Sequence, residues 1–130
     1  MSRADDYARA VIAIGRAEGE TAAVESDLHS FANAVAGSAQ LQDSLGDTTI
    51  PAAKRQQIVE DVLAGKAGRA SMAAISMIVG AGRSADLSEI ARAVSGTLAG
   101  ERGAAFAEVR SAVPLTDEQT RRCLLYTSPS

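Results

Sequence analysis

Residues 67–82 read AGRASMAAISMIVGAG, and the reading of this stretch decides the fold. Between Arg69 and Arg83 no residue carries a charge, and the gap holds Ala70, Met72, Ala73, Ala74, Ile75, Met77, Ile78 and Val79. It is too short to cross a bilayer, which needs about 20 apolar residues. It is too long for an ordinary strand. The stretch predicts a helix that is apolar on nearly every side, and such a helix belongs in the middle of something. Ala70, Ala73, Ala74 and Met77 make a face of mostly small residues beside the bulkier face of Met72, Ile75 and Val79. One face can serve the chain's own core while the other accepts a partner. The competing reading buries both faces inside the chain's own bundle.

The surrounding chain bounds what that helix can belong to. At 130 residues it fits one domain, or one domain plus a fragment. The hydrophobic share of 46% supplies a core, but aromatics are only 3%, so the core is light and the helices can approach closely. A net charge of −3 lacks the footprint of a nucleic-acid binder. Residues 1–49 carry eight acids against three bases, an acidic half that reads as a solvated surface. The single cysteine, Cys123, excludes an internal disulfide framework, and one Cys with one His cannot build a metal set. The opening MSRADDYARA lacks the apolar core of a secretory signal. The chain is therefore expected to be cytosolic, or attached to a membrane only through partners, with no cofactor and no direct membrane insertion.

Outward from the central helix, periodicity and breakers predict five more helices. The first covers 4–18, with Tyr7, Val11 and Ile14 on one line and Ala8, Ile12 and Gly15 on the next, so it too is apolar beyond a normal stripe. Gly15 weakens it unless close packing requires the missing side chain. The second covers about 21–36, with Val24, Leu28, Phe31 and Val35 inward and Gly37 at its C-cap. Ser38 caps a short third helix with Leu41 and Leu45, and Pro51 opens a fourth whose core face is Ile58, Val59, Val62 and Leu63. Ser84 caps a sixth that carries Leu87, Ile90, Val94 and Leu98. Leu28, Phe31, Ile58, Val62, Leu87 and Val94 are the expected core. Beyond Gly103, residues 105–113 alternate like a strand, and Thr116 with Gln119 has capping-box spacing for another helix. A lone strand is not stable by itself, so the chain reads as cut off early in a second domain.

Chemistry is not legible in this pattern. His29 has Glu25 and Asn33 one turn away on either side and reads as a surface histidine. Glu60 and Asp61 are adjacent and point apart on a helix. The glycine pairs do not follow strands, so they are poor phosphate loops. Lys54 and Arg55 read as a solvated face. A helix-turn-helix DNA binder would need a basic recognition helix, but the helix after Ser84 carries Asp86, Glu89 and only Arg92.

Four segments in order resemble one family. YARAVIAIGRAEG is similar to the first helix of the delta subunit of the F-type ATP synthase, the family of the mitochondrial oligomycin-sensitivity protein. IPAAKRQQIVEDVL is similar to its fourth helix, GAGRSADLSEIARAV to the turn between its fifth and sixth, and VRSAVPLTDEQ to the lead-in of its second domain. Together they cover residues 7–119. The resemblance implies a non-catalytic stator, or peripheral-stalk, subunit. Its six-helix N-terminal domain holds the N-terminal helix of an alpha subunit, and its C-terminal domain, mostly missing here, contacts the b-type stalk subunit. It also implies a peripheral place on the cytoplasmic face of a bacterial plasma membrane. The family seats the alpha segment in a groove between the first and fifth helices, the two found apolar beyond one stripe. By residue match that groove is Tyr7, Ala10, Val11 and Ile14 with Ala73, Ala74, Met77 and Ile78. Ala and Met stand where bulkier aliphatics are common, which implies a deeper groove or a weaker grip.

The expected fold is all-α, a six-helix bundle over residues 3–100 followed by a stub of one strand and a helix start. The expected divisions are 1–103 for the bundle, 104–122 for the truncated second domain and 123–130 for a foreign tail, CLLYTSPS. The alternative function is a free-standing helical adaptor that binds an amphipathic helix of another complex, and a weaker third is a regulatory DNA binder.

Overall fold

The computed structural model describes the backbone of residues 2–112 and the side chains of residues 2–104. Six α-helices and one 3-10 turn make up the regular structure among the described residues: α1 Arg3–Glu18, α2 Thr21–Ala36, α3 Ala39–Gly46, α4 Ala52–Leu63, α5 Arg69–Gly80, the turn Ser84–Asp86 and α6 Leu87–Ala112. The protein is all-α. The backbone divides into two compact units, Met1–Thr97 and Leu98–Ser130.

Local chemistry sets most helix ends. Ser2 and Asp5 form a reciprocal capping box at the start of α1, with Asp5 and Asp6 in the first turn and Arg16 in the last, each at the favourable end of the helix dipole. Gly19 closes α1 in the left-handed conformation (φ 68°) that glycine adopts without strain. Gly37 ends α2 by donating to Asn33 O, and the Ser38 hydroxyl then accepts from Leu41 N to start α3. Pro51 immediately precedes α4. Sequence and structure agree on these boundaries because each depends on residues within one turn of the break.

Within Met1–Thr97, α5 is the hub and packs on α1, α2 and α4. Ala70, Ala74, Ile75, Ile78 and Val79 are fully buried along it. Further buried apolar residues of this unit are Val11 and Ile12 of α1, Val24, Leu28 and Phe31 of α2, Val59 of α4, and Leu87, Ile90 and Val94 of α6. Gly15 is required by a close approach. A Cβ there would stand 3.0 Å from Thr21 Cα, so the first turn of α2 rests directly on α1.

Two expectations change. The inward face of α4 is Arg55, Val59 and Leu63, whereas Ile58 and Val62 are only half-buried. The helix is turned so that the Arg55 guanidinium can reach buried carbonyls, and Ile58 and Val62 are carried to its flank. Residues 105–112, where alternation predicts a strand, continue α6. Ala, Glu and Arg there are good helix formers, and a helix satisfies its own backbone groups where a solitary strand cannot. The expected helix start near Asp117 and the tail 123–130 lie outside the described residues.

Two substitutions test this packing. Phe31, 2% exposed, is among the largest fully buried side chains. Phe31→Ala should cost about 3–5 kcal/mol, a large part of the roughly 5–15 kcal/mol available to a domain of this size. A denaturant midpoint within error of wild type would place Phe31 outside the core. Gly15→Ala sets a helix-propensity gain of about 1 kcal/mol against a steric cost of about 1–3 kcal/mol from the Thr21 backbone. The melting temperature should fall slightly, and a rise would mean that α2 yields freely.

Candidate partner-binding seam

A helix turns 100° per residue, which places Tyr7, Ala10 and Ile14 to one side of Val11 and Ala8, Ile12 and Gly15 to the other. Ala8, Ile12 and Gly15 are buried, and Gly15 meets α2. Tyr7, Ala10 and Ile14 are half-buried. On α5, Ser71, Ile75 and Val79 lie to the buried side of Ala74, whereas Ala73 is exposed and Met77 half-buried on the other. Of the eight expected groove residues, Tyr7, Ala10, Ile14, Ala73 and Met77 keep accessible surface, and Val11, Ala74 and Ile78 are fully enclosed. Those three offer no surface to a partner. The five residues that keep accessible surface are apolar, and Ala10 and Ala73 have the smallest side chains among them.

Three polar ties join helices within the bundle. Ser71, buried on α5, donates its hydroxyl to Asp27 Oδ2 of α2 at 2.5 Å. Ser95 of α6 donates to Glu25 Oε2 at 2.7 Å, and His29 Nε2 lies 2.6 Å from the same Ser95 Oγ. The hydroxyl has given its only proton to Glu25, so His29 presents N–H to it. In a nucleophilic triad the histidine stands between hydroxyl and carboxylate and takes the proton. Here the serine stands between, and the group is a tie from α2 to α6. His29 is half-buried rather than a free surface residue.

The third tie overturns the solvated reading of Arg55. The residue is 6% exposed. Its Nε donates to Val79 O at 3.4 Å and its Nη2 to Gly80 O at 3.2 Å, both at the C-terminal end of α5. Its Nη1 donates to Ile50 O and to Asp47 O, the latter at 3.5 Å. The spacing of Arg55, Val59 and Leu63 at i, i+4, i+8 is the signal that sequence reading passes over, because a cation is not counted in an apolar stripe. Ser71 was equally hidden, an uncharged polar residue in a charge-free run.

No group of three His, Cys, Asp or Glu among the described residues is placed to hold a metal ion. No described helix is long and apolar enough to cross a membrane.

The profile of the ATP synthase delta (OSCP) subunit matches residues 4–123. The chain belongs to this family. The delta subunit of Rhodococcus opacus is 33% identical over 105 residues, which are 81% of this chain and 38% of that protein. The delta subunit of Kineococcus radiotolerans is 33% identical over 113 residues, 87% of this chain and 41% of that one. That of Maricaulis maris is 33% identical over 116 residues, 88% of this chain and 64% of that protein. This delta-family chain therefore spans less than two thirds of these curated relatives. No solved structure matches it.

The loop that Arg55 grips has its own titrating group. The Thr49 hydroxyl and then the Thr49 amide, at 2.6 and 2.9 Å, hold the exposed Asp47 carboxyl below its ordinary value, and the Arg55 charge adds to the effect. A carboxyl depressed in the folded state stabilises above its unfolded value, and that contribution is lost as pH falls through the folded one. Thr49→Val removes the leading cause, so Asp47 should titrate at higher pH in the variant. An NMR titration of the Asp47 side chain checks this, and an unchanged midpoint would assign the shift to the Thr49 amide and Arg55 instead.

Proposed function

We propose that this chain acts as a non-catalytic stator subunit of a proton-translocating F-type ATP synthase. In this reading the α1–α5 seam seats the amphipathic N-terminal helix of the alpha subunit, and the region after the bundle leads toward the b-type stalk subunit. The whole complex carries out the chemistry, and this subunit transmits resistance to rotor torque from a peripheral position on the cytoplasmic face of a bacterial plasma membrane. The observation that carries the reading is the family match across residues 4–123. The accessible apolar residues Tyr7, Ala10 and Ile14 of α1 with Ala73 and Met77 of α5 support it, since helix-in-groove recognition needs apolar anchors spaced by helical turns.

Ala10→Asp separates seam from core. Ala10 is half-buried, so a carboxylate there can turn to water in the free protein at a cost on the order of 0.5–1 kcal/mol. Under a docked apolar helix the same carboxylate has no partner and costs roughly 1–3 kcal/mol. Binding of a synthetic alpha N-terminal peptide should therefore weaken about tenfold to a hundredfold, with a nearly unchanged melting curve. Unfolding of the variant would make Ala10 core. Wild-type affinity in a folded variant would send the peptide elsewhere and leave the adaptor reading, with its different helix, in place.

A further inference from the structure

We infer that Arg55 and Gln56 are positioning residues for the seam: from α4 they hold the last turn of α5, and with it the stretch that carries Met77. The inference rests on the reading of the seam as a partner site.

The carbonyls at the end of α5 draw on donors from the following turn and from α4. Met77 O accepts from Ala81 N at 3.1 Å, Ile78 O from Arg83 N at 3.1 Å and Val79 O from Gly82 N at 3.0 Å. Gly80 O takes Arg55 Nη2, and Val79 O takes Arg55 Nε as a second donor. Ser76 O takes Gln56 Nε2 at 3.2 Å. The last turn of α5 carries no basic residue of its own, so the cation that complements its dipole is delivered by α4. One planar guanidinium also spans to Asp47 O and Ile50 O, which joins the loop before α4 to the same point. Gly80 leaves room for the Gln56 amide. A Cβ there would lie 2.5 Å from Gln56 Nε2.

Ser76 and Val79, two of the three gripped carbonyls, bracket Met77 and fix the turn from which it projects. Released from α4, those carbonyls would compete for water and the turn would fray. A partner would then have to order Met77 as it docks, and that ordering cost is what a pre-formed seam avoids. A lysine cannot replace the grip, because a single ammonium cannot reach the carbonyls that the separate edges of a planar guanidinium span.

The test uses the full 130-residue chain, as wild type, Arg55→Lys and Gln56→Ala, well below each melting temperature. Amide exchange at Ala81, Gly82 and Arg83 reads the grip without any partner. Arg55→Lys should speed it by about tenfold and Gln56→Ala by about threefold, as expected for losing one or two hydrogen bonds. Amides at Leu28 and Phe31 of α2 should change much less. Affinity for the alpha N-terminal peptide should fall by comparable factors. Equal acceleration in α2 and α5, or none in α5, overturns the inference, as does wild-type affinity in a variant whose α5 end has loosened. If Arg55→Lys does not fold, Gln56→Ala decides by the same readouts. A wild-type chain that fails to bind the peptide overturns the stator reading instead, and the exchange pattern still judges the grip.

Discussion

A helix without charge between Arg69 and Arg83 cannot face water along most of its surface, and the arrangement of the bundle follows from enclosing it. Contacts from α1, α2 and α4 cover its apolar side chains. Its backbone raises a second demand, because buried carbonyls at a helix end cost as much as any lost hydrogen bond. Arg55 answers that demand. An inward-facing arginine is costly alone, but here the negative end of α5 and the loop carbonyls of Asp47 and Ile50 surround the guanidinium. The orientation of α4 follows from this contact, which outweighs the burial of Ile58 and Val62.

Small residues determine how tightly the enclosure closes. Aromatics are only 3% of the chain, so few side chains can fill large gaps, and the helices must come together instead. Gly15 lets the first turn of α2 rest on α1, and Gly80 leaves space for Gln56. Alanine on α5 serves two ends according to its angle. Ala74 is sealed beneath the surface, and Ala73, one residue earlier, is exposed. The seam proposed for the alpha segment is the outer consequence of the same economy of side-chain volume. Where the chain's own helices have no bulk to spare, a third helix can come near the backbone and supply it.

Polar ties give the bundle directionality that apolar contacts lack. Ser71 with Asp27 fixes α5 against α2, and Ser95 with Glu25 and His29 fixes α6 against α2. Hydrogen bonds have preferred distances and angles, so each tie selects one register between helices where packing alone would allow several. For a subunit proposed to resist torque, register matters more than gross stability.

The number of helices, most of their limits and the family were legible from residues alone. Capping side chains, glycines and prolines act within one turn, so Ser38, Gly37 and Pro51 declare boundaries without reference to the rest of the fold. The apolar run of α5 likewise announces burial whatever surrounds it. Rotation about each helix axis was not legible, because it depends on what the neighbours offer. Arg55 turned inward only because the end of α5 lies beside it, and Val11, Ala74 and Ile78 are enclosed because α1 and α5 pack on one another. Residues 105–112 alternate in apolarity and still continue α6, since a strand needs a second strand to satisfy its backbone and a helix does not. Sequence determines what a segment can satisfy within itself, and tertiary structure decides which side of it faces the groups it cannot.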